Sequence, residues 1–360
     1  MREAEAAAAG EELAVGSLSP LASVSATRAV LERHGLATKK SLGQNFLIND
    51  DVLRKIIELS QTGSEDVVLE VGPGIGTLTV ALLKNARRVV SIERDPDLWG
   101  VLPETLEPWA GKFGLIRKDA LDVARDDIAA AARPCAFPDK FVANLPYAVA
   151  ATLVLDFFQR FPELGSATVM VQKEVADRMS AAPGTKNYGA YTVKLGLYAA
   201  PSGRFPVSPG NFFPPPHVDS AVIRLDRVMP DALAQTAREL AQEAGSCEEG
   251  EGGTGRAGDP GNARDAASAG GSEAVAVMTD RLLRATCTMA DAAFANRRKT
   301  LSNSCRTYFS GRGEDGARIA GCLPQLFSDA GIDPKRRGET LDQAEFVAMG
   351  RALLQMADVE

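Results

Sequence analysis

The 360 residues are 45% hydrophobic and 24% charged, which predicts a folded chain with room for two domains and excludes a fibrous or wholly disordered one. No apolar run reaches the roughly 18 residues of a membrane-spanning helix, and the acid-broken start MREAEAAAAGEELAVG lacks the pattern of a secretory leader. The net charge of −7 argues against nucleic acid only until it is counted by segment. Residues 1–26 carry −3 and 229–278 carry −6, which leaves +2 elsewhere, with +4 in 279–311 alone.

Cys135, Cys247, Cys287, Cys305 and Cys322 are scattered and never spaced as CxxC. They suggest reduced thiols in a cytoplasm, with no disulfide framework and no metal site. Residues 1–26 are expected to form a flexible extension. From 27 to 228, β-rich runs (Val67–Val71, Val89–Ile92, Gly114–Arg117, Phe141–Ala143, Thr168–Gln172) alternate with helical patterns such as Val52, Leu53, Ile56, Ile57 and Leu59. That alternation predicts a doubly covered parallel sheet. Val193–Tyr198 and Ala221–Leu225 read as an antiparallel edge pair. Residues 229–276, Gly-rich and acidic around GSCEEGEGGTGRAGDPGNARDAASAGGS, read as a flexible insertion. Residues 277–360 read as all-helical.

The chemistry gathers at the strand ends. Val67–Val71 runs into Gly72-Pro73-Gly74-Ile75-Gly76 and then a helical pattern, a turn that brings backbone N–H groups against a nucleotide-like ligand. The GxGxG spacing disfavours the dinucleotide GxGxxG. Glu93 ends the second strand, where an acid accepts from ribose hydroxyls, and Asp119 ends the third, where a carboxylate can meet an adenine amine. The fourth strand ends in Asn144-Leu145-Pro146-Tyr147. An exocyclic base amine is a poor nucleophile because its lone pair is conjugated into the ring. Asn144 Oδ1 and a Leu145 or Pro146 carbonyl would draw it towards a tetrahedral shape, with Tyr147 offering a face for the base. His34 and His217, the only histidines, have no partners in sequence that suggest a ligand set or a general base.

Together with Lys39-Lys40-Ser41-Leu42-Gly43-Gln44-Asn45-Phe46-Leu47, Phe212-Phe213-Pro214-Pro215-Pro216-His217-Val218-Asp219-Ser220, Phe294–Thr300 and Gly331-Ile332-Asp333-Pro334, these motifs resemble the KsgA-type rRNA adenine dimethyltransferases. The resemblance covers about 27–228 and 277–357. It implies a Rossmann-like S-adenosylmethionine (SAM)-dependent methyltransferase with a seven-stranded mixed sheet and a small helical C-terminal domain. The implied reaction is dimethylation of two adjacent adenosines near the 3′ end of 16S rRNA, within the small ribosomal subunit or its precursor. By motif, Asn45, Leu47, Gly72, Gly74, Glu93, Asp119 and Asn144 would contact SAM. Asn144, Leu145, Pro146 and Tyr147 would hold the target base, and Phe212 would stack on it, with Phe213 as the neighbouring candidate. Lys39, Lys40 and, on a predicted helix, Arg297, Arg298 and Lys299 would meet RNA. A monomer is the default. The competing readings are a resistance-type large-subunit rRNA methyltransferase and a non-catalytic assembly factor of the same fold.

Overall fold

The computed structural model describes residues 16–38, 44–248 and 263–357. Two compact units emerge, one from residues up to Asp177 with Ala200–Arg227, the other from Arg178–Ala199 with the chain from Val228 onward.

The first unit contains helix α1 (Val24–Arg33), strand β1 (Phe46–Leu47), α2 (Asp50–Ser60), β2 (Val67–Val71), α3 (Thr77–Asn85), β3 (Arg88–Ile92), α4 (Val101–Thr105), β4 (Phe113–Ile116) and α5 (Arg125–Ala132). It continues with β5 (Lys140–Asn144), α6 (Ala150–Arg160) and β6 (Ser166–Gln172). The helix α7 (Lys173–Met179) and, after α8 (Ala190–Gly196), the strands β7 (Ala199–Val207), β8 (Phe212–Phe213) and β9 (Ser220–Arg227) follow. Seven strands form one sheet in the order β4-β3-β2-β5-β6-β9-β7. The strands β4 to β6 pair in parallel, and β9 returns antiparallel on β6 from Ser166↔Asp226 to Gln172↔Ser220. All five residues of β2 are buried, Glu70 among its Val and Leu, as a strand in the middle of a parallel sheet requires. The mixed seven-stranded sheet expected from the sequence is thus present.

Four details differ from the sequence reading. Residues 17–26 are not loose: Asp50 accepts from the Leu18 and Ser19 amides at 2.8 and 2.9 Å. Ser23 caps α1, and Leu21 is buried beneath it, whereas residues 1–15 lie outside the described ones. Val193–Tyr198 falls largely in helix α8, and the strand beside β9 is β7 instead. Only Val193 there is β-branched, and the strand-like pattern loses to burial on a helix face, since α8 hides Val193 and Leu195. Within 229–276, helix α9 (Asp231–Glu248) buries Leu233, Ala237 and Leu240, an i, i+4, i+7 stripe masked by the surrounding acids and glycines. Helix α10 (Ala263–Phe294) reaches back to Ala263, and 249–262 lie outside the described residues.

The second unit is helical apart from its strand end. Helices α8, α10, α11 (Leu301–Ser310), α12 (Gly313–Asp329) and α13 (Gln343–Ala357) enclose Met289, Phe309, Phe327 and Phe346. A second cluster joins Leu233, Leu240, Leu282 and Val347, with Arg351 reaching Glu239 and Glu243 at 2.5 Å each.

Candidate active site

A cavity of about 340 Å³ opens beyond the carboxyl ends of β2, β3, β4 and β5, where ligands of open α/β sheets bind. It gathers Asn45, Leu47, Gly72, Gly74, Glu93, Asp119 and Asn144–Tyr147, all singled out from sequence. It also collects Gln44, Phe46, Glu70, Thr77, Arg94 and Lys118, which sequence reasoning did not assign. Gln44 and Phe46 lay inside a quoted motif, so their spacing was a usable signal. Glu70 gave none, because a carboxylate inside an apolar strand reads as an exception.

The glycine turn is shaped by steric need. Gly74 sits at φ +60°, and a Cβ there would lie 3.1 Å from Phe46 Cε1, so both the backbone and the Phe46 ring require hydrogen at that point. Gly72, at φ +70°, faces Pro146 of the fourth-strand motif. The segment Gln44–Leu47 lines the same cavity. Its strand β1 pairs with β8 through Phe46↔Phe213 and Leu47↔Phe212, and Gln44 Nε2 donates to Asp95 Oδ2 at 2.8 Å.

Glu93 is buried at the end of β3. Burial pushes its carboxyl up to about 7, with the Asp95 charge adding to the rise, although the Asp95, Gly74 and Arg94 amides all donate to it. Asp119 is bridged by Arg94 at 3.0 Å and accepts from the Leu121 amide at 3.1 Å. Asn144 Nδ2 donates to the Asn45 carbonyl at 3.2 Å, which leaves Oδ1 as the acceptor end of that amide. The Val149 amide donates to the Pro146 carbonyl at 3.2 Å, whereas the Leu145 amide donates to Met170 at 3.1 Å. Of the two candidate backbone acceptors, the Leu145 carbonyl is therefore the one the turn does not use. Tyr147 is held by its hydroxyl to Ser220 Oγ at 2.6 Å, and burial raises its phenol.

The structure does not bring Phe212 to the cavity. It is 2% exposed and packs in the core with Phe46 and Leu47. Phe213 is half-buried, with the Arg28 guanidinium 5.1 Å from its ring centre. Lys39 and Lys40 lie outside the described residues. Arg297, Arg298 and Lys299 are exposed, and they stand in a turn after α10 instead of on a helix. Arg297 pairs with Glu339 at 3.0 Å and lines a second cavity of about 320 Å³ with Arg178, Lys186, Asn187 and Tyr191.

Comparison with known proteins identifies the family. A family model described as ribosomal RNA adenine dimethylase matches residues 35–240. A ribosomal RNA small subunit methyltransferase A of Corynebacterium jeikeium is 36% identical over 331 residues, 91% of this chain and 94% of the relative. One from Bacillus thuringiensis is 33% identical over 345 residues, covering 94% and 98%. Among solved structures, a Plasmodium falciparum dimethyladenosine transferase shares the fold at TM-score 0.59 and 21% identity, with 87% of this chain and 98% of that one covered. With a family match over more than half the chain and relatives aligned nearly end to end, the chain belongs to the ribosomal RNA adenine dimethylase family.

Proposed function

We propose that this protein is a SAM-dependent enzyme that dimethylates the exocyclic amines of two adjacent adenosines near the 3′ end of 16S rRNA, acting on the small ribosomal subunit or its precursor. The observation that carries the reading is one cavity holding both halves of the chemistry. A ribose-binding carboxylate and a positive-φ glycine turn lie on one side, and an Asn-Leu-Pro-Tyr acceptor turn on the other.

The residues fit the cofactor. Glu93 presents a carboxylate to ribose hydroxyls, the Gly72–Gly74 backbone allows close approach, and Asp119 can accept from the adenine amine. Asn45 and Leu47 cover the cofactor as a lid. Bound there, SAM supplies a methyl on a sulfonium centre, which the adenine nitrogen takes by in-line displacement. The chain's own part is orientation and desolvation. Asn144 Oδ1 and the Leu145 carbonyl accept the two amine hydrogens and aim the nitrogen lone pair at the methyl. Pro146, without an N–H, keeps a competing donor out of the turn. Tyr147, anchored by Ser220, offers its ring to the extruded base. The methylated nitrogen is acidic enough to release its proton to water, so no strong base is required.

On the other unit, Arg297, Arg298 and Lys299 are read as phosphate contacts, as are Lys39 and Lys40 of the sequence motif. Among the described residues no helix is long and apolar enough to cross a membrane; a cytoplasmic monomer is the reading we adopt. The deciding experiment is methyl transfer from tritiated SAM to small subunits lacking the modification, beside large subunits and naked RNA. Label confined to adenines of the small subunit supports the reading; label on large subunits, or none, overturns it.

A further inference from the structure

Glu70 lies one residue before the end of β2, is 1% exposed, and lines the cofactor cavity. Its Oε2 is saturated by hydroxyl donors, Thr79 at 2.8 Å and Ser91 at 2.7 Å. No hydrogen-bond donor among the described residues reaches Oε1. The charge that acts on it is another carboxylate, Glu93. The cations lining the cavity are already engaged, Arg94 with Asp119 and Lys118 with Asp127. A buried carboxylate without a cation is costly, and a glutamine here would keep both hydroxyl bonds without that cost. As built, the floor of the cavity calls for positive charge from a ligand.

We propose that Glu70 is the charge-selecting residue of this pocket, favouring the sulfonium donor over the thioether that remains after methyl transfer. The two ligands share adenosine, carboxylate and ammonium groups and differ by the methyl and one positive charge, so only a charge-sensitive group separates them strongly. By holding the cation better than its neutral product, Glu70 favours replacement of spent cofactor, which the addition of several methyl groups requires. The proposal rests on the cofactor reading above. Burial pushes the Glu70 carboxyl up to about 7, the Ser91 and Thr79 hydroxyls working against that rise and the Glu93 charge adding to it. A cationic ligand draws the proton off; a neutral one does so less.

The test is calorimetry of SAM and S-adenosylhomocysteine with the wild type and with Glu70→Gln, at about pH 6 and pH 8. The ratio of the two dissociation constants should move towards SAM with rising pH by about five- to tenfold more in the wild type than in the variant. The ligands' own amines titrate alike for both proteins and Glu93 is present in both, so the difference between wild type and variant is read against Glu70. Ser91→Ala, which removes a bond to the charged form, should shift the midpoint to higher pH and gives a second reading should Glu70→Gln not fold. Equal slopes in wild type and Glu70→Gln, or a midpoint unmoved by Ser91→Ala, overturn the proposal. Failure of both ligands to bind the wild type overturns the cofactor reading and the proposal with it.

Discussion

Glu93 carries a prediction that can be worked through from its surroundings. Its carboxyl stands at about 7 because burial opposes the charge, yet two ribose hydroxyls can be accepted only by the ionised form. Binding of the adenosine moiety should therefore release a proton and strengthen with pH. For a group with a pKa of about 7, the ionised share is about one in eleven at pH 6 and ten in eleven at pH 8, a gain of about tenfold in affinity. S-adenosylhomocysteine is the ligand to use, because it carries the ribose without the sulfonium charge. Glu93→Gln should flatten the profile, and Glu93→Ala should weaken binding by about 1.5–3 kcal/mol at the upper pH, the scale of hydrogen bonds to a charged group. Calorimetry across the range decides it. A dissociation constant that is flat in the wild type, or a slope that survives in Glu93→Gln, would refute the role given to this carboxylate.

Asn144→Ala removes the Oδ1 acceptor and should cut turnover on small subunits by about a hundredfold or more; SAM affinity should change far less, so single-turnover kinetics beside calorimetry separates the two, and near-normal turnover sinks the assignment. Phe212→Ala should cost about 3–5 kcal/mol in denaturant unfolding, since the ring is core. If stability is kept and only activity falls, Phe212 reaches the base in the complex; if Phe213→Ala is the stable, inactive variant, the stacking role moves by one residue. Arg298→Glu with Lys299→Glu should weaken binding to small subunits and lower the salt dependence by about one unit of log-log slope per lost phosphate contact. An unchanged slope would make these residues a solvated turn.

Some of this protein is determined locally. The run Val67–Val71 followed by three glycines at alternate positions can only be a buried strand leading into a left-handed turn, and Gly72, Gly74 and Gly76 all take positive φ. Glu93, Asp119 and Asn144 were legible as residues of one cavity because each lies at or just beyond the end of a strand, and parallel strands present those ends to one crevice. Tertiary structure decided what depends on distant partners. Val193–Tyr198 has strand-like composition but becomes mostly helix where its apolar side chains are buried. The helix Asp231–Glu248 escapes a compositional reading because its buried Leu233, Ala237 and Leu240 are outnumbered by acids and small residues. Phe212 belongs to the core because β8 pairs with β1, bringing Leu47 and Phe212 into register across 164 intervening residues. Glu70 is the sharpest case. Its place in the chain is that of any strand residue, and only the packing of α3 and β3 around β2 leaves one carboxylate oxygen satisfied and the other facing a cavity. Local sequence sets backbone preference and hydrophobic period, whereas desolvation and the sharing of hydrogen bonds arise only when separate elements close on one another.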